Sequence, residues 1–264
     1  MEAVETKILV LNPFGTSKYD EILRKVLQPV ISSGTYFDVR HLERGPEYFD
    51  FSYFKKLAEV DVIESIIKAE SEGYDGVFVA CAYEPGVKEA RELVDIPVVG
   101  AAIPPILIAS QLGYKCSFFT NSEISIPNIW NLIEINGLKR RCISVKAVNL
   151  WLDEIVHYPE KNLESVTKLA REALLEGAEV IILGCTVVAA YFTHLINEKG
   201  LPQDLADVTF LDSNVCAIKM LELLVDMYRK TGVKVSRKAY YANPREIKPG
   251  DFKKFRMEYG LDIW

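Results

Sequence analysis

Two apolar runs, each ending in a cysteine, constrain the fold of this chain more than any other feature. The first is Gly73–Cys81 (GYDGVFVAC) and the second is Gly177–Cys185 (GAEVIILGC). Short, almost wholly apolar runs after a glycine turn are typical of strands buried on both faces of a parallel sheet. Amphipathic helical patterns, Val60–Glu72 and Leu163–Glu176, lead into them. Each thiol is therefore expected at the carboxyl end of a strand, where open α/β sheets bind ligands.

The alternation of strand and helix covers most of the 264 residues and occurs twice in the same order. The two cysteines are separated by 104 residues (185 − 81), and other equivalent positions have similar offsets. Alternating elements of this kind favour parallel sheets with right-handed crossovers. We predict an α/β fold of two pseudo-symmetric lobes, each with a parallel sheet, and a cleft between them. The first lobe is expected at residues 1–113, joined by a C-terminal helix and tail at 217–264, and the second at 114–216.

The net charge of the chain and its hydrophobicity pattern exclude some classes of binding partner. The net charge is −6, which argues against nucleic acid or an anionic membrane surface as a partner. No apolar run approaches the roughly 20 residues of a membrane-spanning helix. The first seven residues lead directly into a strand and do not resemble a signal peptide. We therefore expect a cytoplasmic protein with a small-molecule substrate, and a homo-oligomer.

Cysteine spacing argues against two other kinds of site. The chain has five cysteines, an odd number, without the short spacings of a disulfide framework. It contains neither a CxxC pair nor an HExxH helix, so no metal site is expected. It also lacks a GxGxxG loop and a P-loop, and no cofactor is expected. We interpret Cys116, Cys142 and Cys216 as core residues, because they lie within or open predicted buried elements.

The loops that follow the predicted strands supply the candidate site. Cys81 and Cys185 are the candidate catalytic residues, because only these two thiols occupy matching positions in the halves. Each is expected near a helix N-terminus, which would lower the thiol pKa. The polar loops after the first strand of each half offer hydrogen-bonding groups and close backbone approach. The predicted substrate-binding residues are Asn12, Phe14, Gly15, Thr16, Ala82, Tyr83, Thr120, Asn121, Thr186 and Val187.

Two thiols on opposite sides of one substrate suit a specific reaction. A thiolate on one face can remove a proton next to a carbonyl, and a thiol on the other face can return one. Fixed N–H groups would stabilise the enolate oxygen that develops between these steps. The sequence therefore predicts inversion of a carbon atom without a cofactor.

The chain contains the motifs Asn12-Pro13, Gly45–Glu47 (GPE), Ala80–Gly86 (ACAYEPG), Asp95–Gly100 (DIPVVG) and Leu183–Thr186 (LGCT). With these motifs, the chain resembles the aspartate/glutamate racemase superfamily over about residues 7–228, and within it the hydantoin racemase branch. It implies two facing cysteines, Cys81 and Cys185, as acid and base in a cleft between two α/β lobes. It also implies that no metal or coenzyme takes part.

Some positions depart from the family pattern. Amino-acid racemases usually follow the first cysteine with Asn-Thr, which grips the α-carboxylate, whereas this chain has Ala82-Tyr83. Val187 stands where those enzymes often have Glu or His, and Phe14 and Gly15 are unusual in the first loop. The resemblance therefore implies a neutral, hydantoin-like or related amino-acid derivative rather than free aspartate or glutamate, with Phe14 and Tyr83 against it.

Other functions stay open at this stage. One is an amino-acid racemase of the aspartate or glutamate type. Another is a decarboxylase or cis–trans isomerase that uses one cysteine, and a third is a ligand-binding module without catalysis. The tail at 235–264 lies outside the resemblance and carries many basic and aromatic residues. We expect it to be partly ordered against the first lobe or a neighbouring subunit.

Overall fold

Two four-stranded parallel sheets with the same strand order form the framework of the protein. The structure is a computed structural model, and it describes residues 5–262. The ends of the predicted ranges, residues 1–4 and 263–264, lie outside the described residues. The strands are β1 (Thr6–Asn12), β2 (Thr35–His41), β3 (Gly76–Val79), β4 (Val98–Val99), β5 (Cys116–Thr120), β6 (Cys142–Ala147), β7 (Val180–Leu183) and β8 (Thr209–Asp212). The sheet orders are β2-β1-β3-β4 and β6-β5-β7-β8. The prediction of two similar parallel α/β halves is confirmed.

Helices connect successive strands and cover the sheets. They are α1 (Asp20–Leu27), α2 (Ser52–Ser71), α3 (Val87–Leu93), α4 (Ile103–Leu112), α5 (Ile126–Ile135), α6 (Leu152–His157), α7 (Pro159–Leu175), α8 (Thr186–Lys199), α9 (Ser213–Thr231), α10 (Pro244–Ile247) and α11 (Pro249–Glu258). The sequence pattern placed the start of α2 at Val60, eight residues too late. The first turns of α2 are largely exposed and aromatic, so no apolar stripe marks them in the sequence. None of the helices within residues 5–262 combines the length and hydrophobicity needed to cross a bilayer.

Two helices cross between the sheets. Helix α4 follows the first sheet in the chain but packs on the second, where Ile106 and Ala109 contact a cluster that includes Phe118. Helix α9 follows the second sheet and packs on the first. A Cβ at Gly76 of β3 would lie 2.8 Å from Cδ1 of Leu221 in α9, so glycine permits this close approach. The exchange ties the two halves together, and the boundary near residue 113 stays a proposal.

One hydrophobic cluster extends through both halves. It contains Leu11 and Val79 of the first sheet together with Phe119, Ile181 and Leu183 of the second. All five side chains are at most 1% exposed. Because burial of this shared surface stabilises both sheets at once, the carboxyl ends of their strands are held in a fixed relation.

The tail after α9 packs on the first sheet's helices. Arg256 of α11 is buried and donates two hydrogen bonds to the carboxylate of Glu64 in α2, at 2.7 and 2.6 Å. Arg237 donates to the carbonyl oxygen of Val94 and to Asp95, just after α3. A paired, hydrogen-bonded guanidinium can be buried at modest cost. The described part of the tail is therefore ordered against its own first lobe.

Candidate active site

Cys81 and Cys185 line the same cleft at the carboxyl ends of the two sheets. The cleft encloses about 370 Å³ and is lined by Phe14, Phe49, Asp50, Cys81, Ala82, Tyr83, Thr120, Asn121, Leu152, Cys185, Thr186 and Val187. Both halves contribute, because lining residues follow β1 and β3 of the first sheet and β5 and β7 of the second. Five of the lining residues carry only hydrocarbon side chains: Phe14, Phe49, Ala82, Leu152 and Val187.

Cys185 occupies the N-cap of α8. Backbone N–H groups of Val187 and Val188 point at its sulfur and favour the thiolate. Burial acts in the opposite direction and is stronger, so the pKa of Cys185 rises to about 11. The nearby Asp50 carboxylate also raises this pKa. The predicted helix N-terminus is confirmed at Cys185, but the predicted lowering of its pKa is wrong because burial outweighs the N–H groups.

Cys81 has a different local structure. It begins a turn in which the N–H of Glu84 donates to the Cys81 carbonyl oxygen at 3.0 Å. Helix α3 begins only at Val87, so the predicted helix N-terminus at Cys81 is wrong. Burial raises the pKa of Cys81 to about 12, a Tyr83 N–H lowers it, and proximity to the Cys185 thiolate raises it. The matching cysteines therefore lie in unlike surroundings, because five residues, 82–86, separate Cys81 from α3, whereas Cys185 directly precedes α8.

Glu84 anchors the turn after Cys81 to the start of α4. Its backbone has a φ of 48°, in the left-handed region. Its buried carboxylate accepts hydrogen bonds from the N–H groups of Ala102 (2.9 Å) and Ile103 (3.0 Å), at the start of α4. Burial raises the pKa of this carboxyl. The turn is thus held by N–H groups at the N-terminus of α4, which have no hydrogen-bond partner within the helix.

Thr186 joins the two cysteine loops directly. Its hydroxyl donates to the carbonyl oxygen of Ala80, next to Cys81, at 3.0 Å. The carbonyl oxygen of Thr186 accepts from Nδ2 of Asn214, at 2.9 Å. Thr186 is 3% exposed and Ala80 is 1% exposed. The hydroxyl therefore holds one cysteine loop against the other, away from water.

Three of the predicted substrate-binding residues do not line the cleft but form hydrogen bonds next to it. Asn12 donates from Nδ2 to the Thr16 carbonyl oxygen (2.9 Å) and to Oδ1 of Asp20 (2.7 Å). The N–H of Gly15 donates to the carbonyl oxygen of Pro46 at 3.0 Å. Asn12, Gly15 and Thr16 are not among the lining residues, whereas Phe14 of the same loop is. The other predicted residues, Ala82, Tyr83, Thr120, Asn121, Thr186 and Val187, line the cleft.

Sequence reasoning missed Phe49, Asp50 and Leu152. Asp50 is 3% exposed, and its Oδ1 accepts from Nδ2 of Asn121 (2.6 Å) and Oγ of Ser122 (2.8 Å) in the opposite half. Residues 49 and 50 lie shortly after the GPE motif. That motif was the only sequence feature that pointed to a functional role for this loop. No strand or helix period places them in the cleft, because the approach depends on the contact between halves.

The cleft has no evident place for a metal ion. No three His, Cys, Asp or Glu side chains converge in a suitable arrangement within residues 5–262. The chemistry available from the lining side chains is that of two thiols, one carboxylate, one phenol and a few neutral donors. Acid and base groups of this kind transfer protons.

Known proteins share both the sequence and the fold. A sequence model of the Asp/Glu/hydantoin racemase family matches residues 8–221. The hydantoin racemase of Paenarthrobacter aurescens is 30% identical over 242 residues, which is 91% of this chain and 98% of that protein. The solved allantoin racemase from Pseudomonas fluorescens has a TM-score of 0.81 and 28% identity, over 91% of this chain and 97% of that one. The allantoin racemase from Klebsiella pneumoniae has a TM-score of 0.80 and 26% identity, over 91% and 94%. Because the family match covers most of its length, this chain belongs to the Asp/Glu/hydantoin racemase family and is an isomerase of the racemase class.

Proposed function

We propose that this protein racemises a 5-substituted hydantoin or a related cyclic ureide, with Cys81 and Cys185 as the acid and the base. The observation that carries the proposal is that both thiols, one from each half, line a single cleft. Cys81 follows β3 and Cys185 follows β7, the equivalent strands of the two sheets, so each half contributes one thiol to the cleft. Inversion of a carbon atom requires two groups in such positions.

The reaction moves one proton in and one proton out. The thiolate of one cysteine removes the proton on C5, next to the ring carbonyl, and leaves an enolate. The thiol of the other cysteine then donates its proton to the opposite face of C5. The first cysteine ends as a thiol and the second as a thiolate, so the reverse reaction can begin from the product without a cofactor.

The raised pKa values determine the resting state of this pair. With pKa values of about 12 for Cys81 and about 11 for Cys185, both groups are mostly thiols at neutral pH. Cys185 ionises more readily, since N–H groups of α8 favour its thiolate. The small thiolate fraction is a strong base, which suits removal of a weakly acidic C–H proton. The N–H groups in the first turn of α8 are also suited to an enolate oxygen.

The cleft supports a neutral ring as substrate. The relatives described above are named hydantoin racemase and allantoin racemase, and allantoin is itself a hydantoin substituted at C5. Phe14, Phe49, Leu152 and Val187 provide apolar surface for the ring and its substituent. We include the lining residues Ala82, Tyr83, Thr120, Asn121 and Thr186 as substrate contacts, and Asn12, Gly15 and Thr16 as their support. A reducing, cytoplasmic setting belongs to the proposal, since both thiols must stay free.

Solvent exchange tests the mechanism. Each enantiomer of 5-benzylhydantoin is incubated with enzyme in deuterated buffer, and loss of optical rotation and deuterium at C5 are followed together. We expect the product enantiomer to carry deuterium at C5. Cys81→Ala and Cys185→Ala should each abolish racemisation, because each removes one of the two proton-transfer groups.

Matched variants make the result decisive. Cys142→Ala removes a buried thiol at the amino end of β6, the opposite edge of the sheet from the cleft, and should keep full activity. Racemisation that survives in both cleft variants would refute the mechanism. Loss of turnover in only one of them would favour a reaction that uses a single cysteine, such as decarboxylation or cis–trans isomerisation.

A further inference from the structure

Asp50 gives the cleft a buried negative charge with unused hydrogen-bonding capacity. Its Oδ1 accepts from Asn121 and Ser122, but Oδ2 receives no hydrogen bond from the described residues. The residue is 3% exposed and lines the cleft. Oδ2 is not one of the fully buried polar atoms that lack a partner in the described residues, so it keeps some access to solvent. A ligand that covers Oδ2 must replace this solvent with an N–H or O–H donor, because a carboxylate oxygen buried without a donor is costly.

The cleft offers no positive charge to balance this carboxylate. Neither lysine, arginine nor histidine lines it in the described part of the chain. Lys55 lies outside the lining, with its Nζ 5.7 Å from the centre of the Tyr83 ring and 3.7 Å from Oε1 of Glu59. A free amino acid could pair its ammonium group with Asp50, but its carboxylate would find no cationic side chain among the lining residues. Burial of an unpaired carboxylate in the same cleft as Asp50 is costly, so such a substrate is disfavoured.

The neutral side-chain donors of Thr120, Asn121 and Thr186 are already engaged within the protein. The Thr186 hydroxyl donates to Ala80, and Nδ2 of Asn121 donates to Asp50. The Thr120 hydroxyl donates to Oδ1 of Asn121 at 3.4 Å. These side chains are therefore poorly placed to bind the carboxylate of an amino acid, which needs several donors at once.

One side-chain donor in the cleft has no hydrogen bond of standard geometry. It is the buried Tyr83 hydroxyl, although the nearby Ser125 and Asn128 side chains act to lower the pKa of Tyr83. Burial is the larger effect and raises this pKa to about 12, so the phenol keeps its proton at neutral pH. Among its side chains, the cleft thus presents one carboxylate oxygen and one phenol hydroxyl that are available to a ligand. A ring amide has the complementary pair, an N–H and a C=O.

We propose that Asp50 is a positioning residue that accepts a ring N–H of a cyclic ureide through Oδ2 and excludes substrates with a free carboxylate. This inference rests on the proposed function and names the group that selects the substrate class. The Tyr83 hydroxyl donates to a carbonyl oxygen of the same ring. Together the two contacts orient C5 between Cys81 and Cys185.

Asp50→Asn tests the role with little change in shape. The amide oxygen can still accept from Asn121 and Ser122, while its NH₂ group replaces the free acceptor with a donor. Hydrogen bonds to charged groups contribute about 1.5–3 kcal/mol, so kcat/KM for 5-benzylhydantoin should fall about 10- to 100-fold. Ser122→Ala is the matched control. It removes one contact to Oδ1 but leaves Oδ2 unchanged, and it should alter kcat/KM much less.

Methylated substrates separate positioning from a purely structural effect. 5-Benzylhydantoin is compared with its N1-methyl and N3-methyl derivatives in wild type and Asp50→Asn. Methylation of the nitrogen that Asp50 contacts should lower wild-type kcat/KM by a factor similar to the substitution. In Asp50→Asn the same methylation should have little further effect. Effects that multiply for both derivatives would overturn the role of Asp50, since independent losses are additive in free energy.

The wild-type measurements distinguish the two proposals. If wild type racemises 5-benzylhydantoin and Asp50→Asn is equally active, only the inference about Asp50 fails. If wild type racemises no hydantoin but does racemise aspartate or glutamate, the substrate in the proposed function is wrong and the inference fails with it. Racemisation of free aspartate by Asp50→Asn above the wild-type rate would further support charge exclusion by Asp50.

Discussion

The hydrogen bond from Thr186 to Ala80 should govern both the stability of the protein and the distance between its two thiols. Thr186→Val keeps the shape of the side chain but removes the hydroxyl that donates to the Ala80 carbonyl oxygen at 3.0 Å. Both residues are almost wholly buried, so water cannot replace the donor. An unsatisfied buried acceptor costs about 1–3 kcal/mol. We expect the free energy of unfolding to fall by about 2 kcal/mol and Tm by roughly 4–8 °C.

Thr186→Val should also lower kcat, and in free energy this loss should be at least as large as the loss of folding stability. Ala80 precedes Cys81 and Thr186 follows Cys185, so the lost bond links the immediate neighbours of the two proposed catalytic thiols. A misplacement of about 1 Å between reacting groups can lower a rate 100-fold. We therefore expect kcat for 5-benzylhydantoin to fall about 10- to 100-fold with a smaller change in KM.

Calorimetry and polarimetry on the same preparations provide the assay. Thr186→Ser keeps the hydroxyl and should retain most of the stability and most of kcat. A Thr186→Val protein with unchanged Tm and unchanged kcat would refute the reasoning, because the bond would then contribute neither to folding nor to alignment. A fall in Tm with unchanged kcat would refute the catalytic part alone.

Further predictions concern the thiols, a glycine and the tail. The value of kcat/KM, corrected for the reaction without enzyme, should rise about tenfold per pH unit between pH 7 and 9. The reason is that the thiolate fraction of Cys185 (pKa about 11) grows at that rate below its pKa. A kcat/KM independent of pH in this range would contradict the raised pKa of Cys185. Gly184→Ala should sharply lower Tm, measured by calorimetry, and kcat, measured by polarimetry. A Cβ at this position would overlap the buried ring of Phe118 and displace Cys185. A normal kcat in this variant would show that the loop can shift without an effect on catalysis. Arg256→Lys loses the two-point contact with Glu64 and should make the tail more sensitive to limited proteolysis while kcat stays near wild type; unchanged cleavage would show that the contact does not hold the tail.

Strand patterns in the sequence were reliable where burial is complete. The runs that became β3 and β7 are apolar throughout, and only a central parallel strand buries both faces in that way. The strand and helix patterns occur in the same order in the two halves, which predicted two sheets of the same topology. The structure has the same strand order in both sheets. The start of α2 was harder to predict, because its first turns are exposed and stabilised by ion pairs such as Lys56 with Glu59.

The chemistry of the cysteines depended on features that sequence patterns do not carry. The pattern suggested two thiols at helix N-termini with lowered pKa values. The structure places only Cys185 at such a terminus, and burial raises the pKa of both thiols. Position along the chain indicates which residues follow a strand, whereas desolvation depends on everything that packs around them.

By itself, the sequence determined the paired α/β halves and identified the two cysteines that end their central strands. Hydrophobic period and strand order are local properties, so they can be read from the chain. Only the tertiary structure placed Asp50 in the cleft and joined Thr186 to Ala80. Asp50 comes from a loop without a periodic pattern, and its partners, Asn121 and Ser122, lie about 70 residues away in the other half. Contacts between halves arise when the sheets pack together, and no local pattern encodes them.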